Sequence, residues 1–205
     1  MTRNRTLIAL GLGALFLSLK ADSCIIEDRM VDAVVTSTLP YAWHTEGDNA
    51  AGSEMATVNL AGDVENALDE FNDLVEVTLI SISGGTYRVI ENRGFVGAHA
   101  GSVTIEAEGQ SPLVVLTYNV PNPPGNANGS AGDTGVDVSL VKAGVDFLNA
   151  RLNTYLATRD AAMLNFTFRT SWTSTDPGSD EYDFDWETAL ILQVVGIIEV
   201  QVPDP

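Results

Sequence analysis

Cysteine is almost missing from this chain. Cys24 is the one thiol in 205 residues, so no internal disulfide can form and the fold must rest on its core. Lysine is nearly as scarce, with Lys20 and Lys142 the two examples, and basic residues total 10 against 28 acidic ones. The resulting formal charge of −18 repels phosphate backbones, so no nucleic acid is expected as a partner. Histidine is limited to His44 and His99, and neither has a second histidine or a cysteine at metal-ligand spacing. There is no G-x-S-x-G elbow. The glycine-rich stretch from Gly94 to Gly101 follows a turn instead of opening a helix, so it makes no phosphate cradle. Catalysis has little to work with, and a non-enzymatic protein is expected.

Long apolar runs are lacking as well. The one at the start, Thr6 to Leu19, spans 14 residues and contains two glycines. A membrane helix needs about 20 apolar residues. Arg3 and Arg5 before the run, and Ala21, Asp22 and Ser23 after it, complete the pattern of an export signal over residues 1–23. Ala21, Asp22, Ser23 and Cys24 give this segment its further character. It resembles bacterial lipoprotein precursors, in which a cysteine directly after the apolar region is lipidated and becomes the mature N-terminus. The resemblance covers the signal alone. It implies that Cys24 carries the lipid, that three acyl chains hold the protein firmly, and that the membrane is reached only through this anchor. Ordinary cleavage after Ser23 or Ala21 is the alternative and leaves Cys24 a free thiol; an uncleaved anchor is the third. The expected location is the cell envelope, membrane-anchored, or else the periplasm or the extracellular space.

Removing residues 1–23 takes away Arg3, Arg5, Lys20 and Asp22. It leaves 7 basic against 27 acidic residues, a formal charge of −20. Such a surface serves solubility, in a saline habitat among others. Clustered carboxylates also suit hard cations, and calcium is the cofactor to weigh against none at all. With 45 % apolar residues the remainder is no disordered tail. Residues 24–28 read as a tether and 29–205 as a single β-rich domain.

Within that domain, Arg29 to Leu39 is β-branched and reads as a strand closed by Pro40. Tyr41 to Ser53 then reads as a loop in which Tyr41, Trp43 and His44 form a ligand-facing patch or cap one end of the fold. Met55 to Leu60 is a short strand. Val64, Ala67, Leu68, Phe71 and Leu74 follow helical spacing and predict a helix over 63–75, with Asp63 at its start. Gly84-Gly85 between β-rich runs predicts a hairpin. Val103 to Ala107 and Leu113 to Val120 are strands, and the Pro-, Gly- and Asn-rich stretch 121–135 is a long flexible loop. Val141, Val145, Leu148, Leu152 and Leu156 predict a helix over 139–157, capped by Ser139 and weakened by Gly144. Leu164 to Trp172 alternates as a strand. Trp186 to Val202 is a long β run with a bulge or kink at Gly196. Turn signals at this rhythm predict a mainly β fold, an antiparallel β-sandwich of about eight strands with two amphipathic helices packed on its edges.

Asp176, Asp180, Asp183, Asp185 and Glu187 form the densest acidic stretch. In an extended chain Asp183, Asp185 and Glu187 share one side, with Tyr182, Phe184 and Trp186 on the other. That side is a calcium site if oxygen ligands converge there, and a solvated acidic edge if they do not. Three functional readings follow. The first is an exported, lipid-anchored, non-enzymatic envelope protein acting as a structural or binding module. The second is a calcium-dependent binder of a protein or glycan, using residues 176–187 together with Tyr41, Trp43 and His44. The third is a secreted hydrolase, which needs His44 or His99 beside a serine and a carboxylate.

Overall fold

The computed structural model describes residues 26–69, 74–121, 135–175 and 181–203. The expected export signal, Cys24, nearly all of the stretch 121–135 expected as a loop, and Asp176 and Asp180 lie outside the described residues. The chain divides into two units: residues 30–199, and residues 1–29 together with 200–205. In the smaller unit the described residues are strand ends. All that follows concerns the larger one.

The fold is mainly β, in a sandwich-like arrangement of two antiparallel sheets with two helices. Among the described residues the strands are β1 (Ile26–Gly47), β2 (Ala51–Asn59), β3 (Leu74–Arg93), β4 (His99–Glu106), β5 (Leu113–Val120), β6 (Gly135–Asp137), β7 (Ser139–Leu140), β8 (Asn165–Ser174) and β9 (Tyr182–Pro203). The helices are α1 (Ala61–Asp69) and α2 (Lys142–Thr158). One sheet has the order β1-β9-β3-β6 and the other β2-β8-β4-β5-β7. Alternation along β8 buries Phe166, Phe168 and Trp172; along β9 it buries Tyr182, Phe184 and Trp186. Trp172 meets Trp186 edge to face, with ring centroids 6.3 Å apart. Burying each such ring stabilises the fold by about 1.5–3 kcal/mol.

Several local expectations give way to tertiary context. Pro40 does not close β1, which runs on to Gly47 and turns Tyr41, Trp43 and His44 from loop residues into strand residues. β1 is an edge strand, where a residue without an N–H is tolerated. Gly84-Gly85 makes no hairpin, because β3 continues straight through it and pairs with β9 from Leu74 to Arg93. Neither glycine has a positive φ. Both serve close packing: a Cβ on Gly84 would lie 3.0 Å from Ile191 Cδ1, and one on Gly85 2.8 Å from Val138 Cγ2. The bulges likewise fall on β3, where Val75, Thr78, Ser83 and Ile90 are extra residues against β9. Gly196 pairs with Val77, beside one of them.

Both helices are displaced from their expected bounds. α1 begins at Ala61, whose N–H is taken by the Asn59 side chain at 2.8 Å, so Asp63 lies in the first turn and does not cap it. Ser139 belongs to β7, and α2 starts after Val141 without a side-chain cap. Gly144 is no weakness in α2 but the point of its closest approach to β5, where a Cβ would strike the Val114 carbonyl. β6 covers β3 only at Thr86–Arg88. Farther along, α2 takes over part of a neighbouring strand's role: Asn149 accepts from the Ile82 N–H at 2.7 Å, and Asn153 donates to the Ile80 carbonyl at 3.0 Å.

Candidate functional site

Three neighbouring strands, β1, β9 and β3, bring charge together on the outer face of the four-stranded sheet. His44 is the outward residue that follows the buried Trp43 on β1. Asp183 and Asp185 are the outward residues between Tyr182, Phe184 and Trp186 on β9. His44 Nδ1 lies 2.7 Å from Asp185 Oδ1 and 3.7 Å from Asp183 Oδ1, and its Nε2 lies 3.8 Å from Glu46 Oε2. The Glu54 carboxylate accepts from the His44 backbone N–H at 3.2 Å. The hydrogen bond that the His44 ring donates to the Asp185 carboxylate raises the His44 pKa, helped by the nearby charges of Asp185, Asp183 and Glu46, while partial burial opposes the shift. One nitrogen and two carboxylate oxygens of His44, Asp183 and Asp185 lie within 4.8 Å of one another.

Arginines border this group. Arg93 Nη1 donates to Asp183 Oδ2 at 3.0 Å, and Arg93 also pairs with Glu91. Glu187 points to the same side but is held by Arg88 at 3.2 Å. It therefore stands apart from the His44 group. Nor do Asp183, Asp185 and Glu187 lie on an edge: β9 is an inner strand, between β1 and β3. Tyr182 anchors the neighbouring turn by donating its hydroxyl to the Asn49 carbonyl at 2.7 Å.

Of the aromatic patch, only the histidine is presented to solvent. Trp43 is 3 % exposed and donates its indole N–H to Thr188 Oγ1 at 2.8 Å. Tyr41 stacks on Phe168 with centroids 4.4 Å apart. The pattern of strand alternation would have foretold this had β1 been read through Pro40.

The second histidine occupies a different setting. His99 is fully buried among the rings of Tyr87, Phe95, Tyr118, Trp172, Phe184 and Trp186. The Tyr87 hydroxyl meets its Nδ1 at 2.7 Å, while Nε2 has no hydrogen-bond partner. That arrangement suits a neutral ring with its proton on Nε2, facing the π clouds, and the Tyr87 O–H donating to Nδ1. Burial depresses the His99 pKa to about 3 and pushes the Tyr87 hydroxyl well above its ordinary value. Sequence reading offered no sign of this box, since its six rings come from five separate stretches of chain. As for the hydrolase reading, the described partners of the His44 ring are carboxylates, and that of His99 is a tyrosine. No family model, no curated protein and no solved structure matches this chain, so the reading of the site rests on its own geometry.

Proposed function

We propose that this chain is an exported envelope protein, lipid-anchored through Cys24, that acts as a non-enzymatic binding module and holds a divalent cation between His44, Asp183 and Asp185. The single observation behind the module's site is the convergence of two stretches far apart in sequence, with His44 Nδ1 2.7 Å from Asp185 Oδ1. An imidazole nitrogen and two carboxylate oxygens would supply three ligands to such an ion and leave its further positions to other donors. Calcium prefers an all-oxygen shell, whereas imidazole suits zinc and other first-row divalent ions. The cation proposed is therefore of the zinc or manganese kind, ahead of calcium. Its open positions would accept oxygens from a protein carboxylate or from neighbouring hydroxyls of a glycan. Export and anchoring draw their support from residues 1–24.

Binding must displace the proton that His44 shares with Asp185, so affinity should rise as pH rises through the elevated His44 pKa. Calorimetric titration of chelator-treated protein with zinc, manganese and calcium tests the site. The expected result is saturable binding of zinc or manganese, with affinity reduced at least about tenfold by Asp185→Asn. Absence of heat with all three ions would end the cation reading. Labelling cells with a palmitate analogue tests the anchor: label that disappears in Cys24→Ala is expected, and no label at all would argue for simple secretion.

A further inference from the structure

Two of the three side chains at the proposed cation site are also gripped on the side turned away from their common centre. Asp183 is the clearer case. Its Oδ1 faces His44 Nδ1 at 3.7 Å, while its Oδ2 accepts from Arg93 Nη1 at 3.0 Å. The other terminal nitrogen of that guanidinium, Nη2, pairs with Glu91. The register of β3 on β9 explains the arrangement: Arg93 stands opposite Asp183 and Glu91 opposite Asp185, so all four share one outward corner. His44 is held in the same manner. Its Nδ1 meets Asp185, its Nε2 faces Glu46 at 3.8 Å, and its backbone N–H is taken by Glu54. Ligands bonded through their far atoms to outer partners are oriented before an ion arrives, and loss of one such partner typically costs about 10–100-fold in affinity. Arg88, the other arginine on β3, holds Glu187 instead.

We infer that Arg93 sets which cation this site takes: by occupying Asp183 Oδ2 it presents Asp183 through one oxygen, and so favours zinc over calcium. The inference rests on the cation reading above and extends it from the ligands to the residue that selects among ions. Calcium takes six to eight oxygens at about 2.3–2.6 Å, and carboxylates often serve it with both of theirs. Zinc is satisfied by about four ligands at about 2.0–2.2 Å, one atom from each side chain. A carboxylate with one oxygen bonded to a guanidinium supplies the second kind of contact and is poor at the first. Glu91 keeps Arg93 in place by taking its second nitrogen. The positive charge of Arg93 also repels any divalent ion. That repulsion acts on zinc and calcium alike, so it cancels from the ratio of their affinities. What is left in the ratio is the effect on the geometry of Asp183. Arg93 is thus a positioning residue, which acts through the carboxylate it holds.

Calorimetric titration of the chelator-treated full chain with zinc, manganese and calcium tests this, on the unaltered protein and on two variants. The Arg93 side chain is 56 % exposed, so its replacement should leave the fold intact. Arg93→Gln frees Asp183 Oδ2, and the ratio of zinc affinity to calcium affinity should fall at least about tenfold. Calcium binding that is detectable only in this variant would be the same result. Arg88→Gln removes an equal charge from the same face and should leave the ratio where it was. A ratio unmoved by Arg93→Gln, or lowered as far by Arg88→Gln, would overturn the role of Arg93, while zinc binding to the unaltered chain left the cation reading standing. No heat from the unaltered chain with any of the three ions would end both.

Discussion

The two sheets bury much the same kind of residue and expose opposite kinds. On the outward side of β9 and its neighbours, His44, Asp183, Asp185, Glu187, Arg88 and Arg93 crowd into pairs. On the outward side of β8 and its neighbours stand serines and threonines, with one acid and one base. Inward, β9 offers Tyr182, Phe184 and Trp186, while β8 offers Phe166, Phe168 and Trp172. The difference teaches that stability and surface chemistry are carried on separate sides of the same strands. Changes on the inward side should be felt in stability, and changes on the outward side in binding.

The sharpest break of that division is Trp186→Ala. The indole is fully buried, stacked at 5.4 Å on Phe184 and packed against His99 at 4.8 Å. Its removal should cost about 3–5 kcal/mol in urea unfolding. A loss below 1 kcal/mol would mean that the two sheets are not held together through this aromatic centre.

Acid should expose the same centre less abruptly. The folded His99 takes up a proton only near pH 3, whereas an unfolded histidine does so near 6.5. The unfolded chain therefore binds more protons between those values, and stability falls as pH falls through the window, by up to roughly 1.4 kcal/mol per pH unit. Denaturation curves between pH 7 and pH 4 should show this slope, and His99→Phe should flatten it whatever that variant does to stability at neutral pH. An unchanged slope in the variant would assign the acid sensitivity to the carboxylates instead.

Alternation was the most legible feature of the sequence. Leu113–Val120, the aromatic face of β8 and the two-sided character of residues 182–187 all follow from period-two patterning, because burial on one side of a strand selects residues one at a time. Punctuation was read less well. Pro40 and Gly84-Gly85 carry strong local turn signals, but an edge position tolerates the proline, and tight packing against Ile191 and Val138 demands the glycines. Local propensity cannot see those neighbours, which are distant in sequence. The site was legible in halves. His44 and the Asp183–Asp185 pair each stood out, yet their meeting depends on β1 pairing beside β9, a long-range choice that no spacing announces. The Asn149 and Asn153 contacts to β3 were hidden for the same reason, as polar positions on a helix otherwise read for its apolar stripe.

The smallest expected effect on stability lies on the charged outer face, and it is the most diagnostic of what that face does. Asp185→Asn keeps the shape of the side chain and replaces the charged acceptor whose hydrogen bond chiefly raises the His44 pKa. An NMR titration should therefore move the His44 midpoint down toward the ordinary histidine value. The raised pKa means that the folded chain holds this proton to higher pH than the unfolded one. Its stabilising contribution is therefore present in acid and fades as pH rises through the folded value. Because His44 is half exposed, with 52 % of its side-chain surface accessible, solvent screens the pair and Asp185→Asn should leave the urea midpoint almost unmoved. Ser171→Ala, on the outward side of the other sheet, should leave both the His44 midpoint and the stability where they were, within about 0.5 kcal/mol. A His44 midpoint that ignores Asp185 would mean that the two strands do not share this contact in solution, and the contrast between the sheets would lose its charged half.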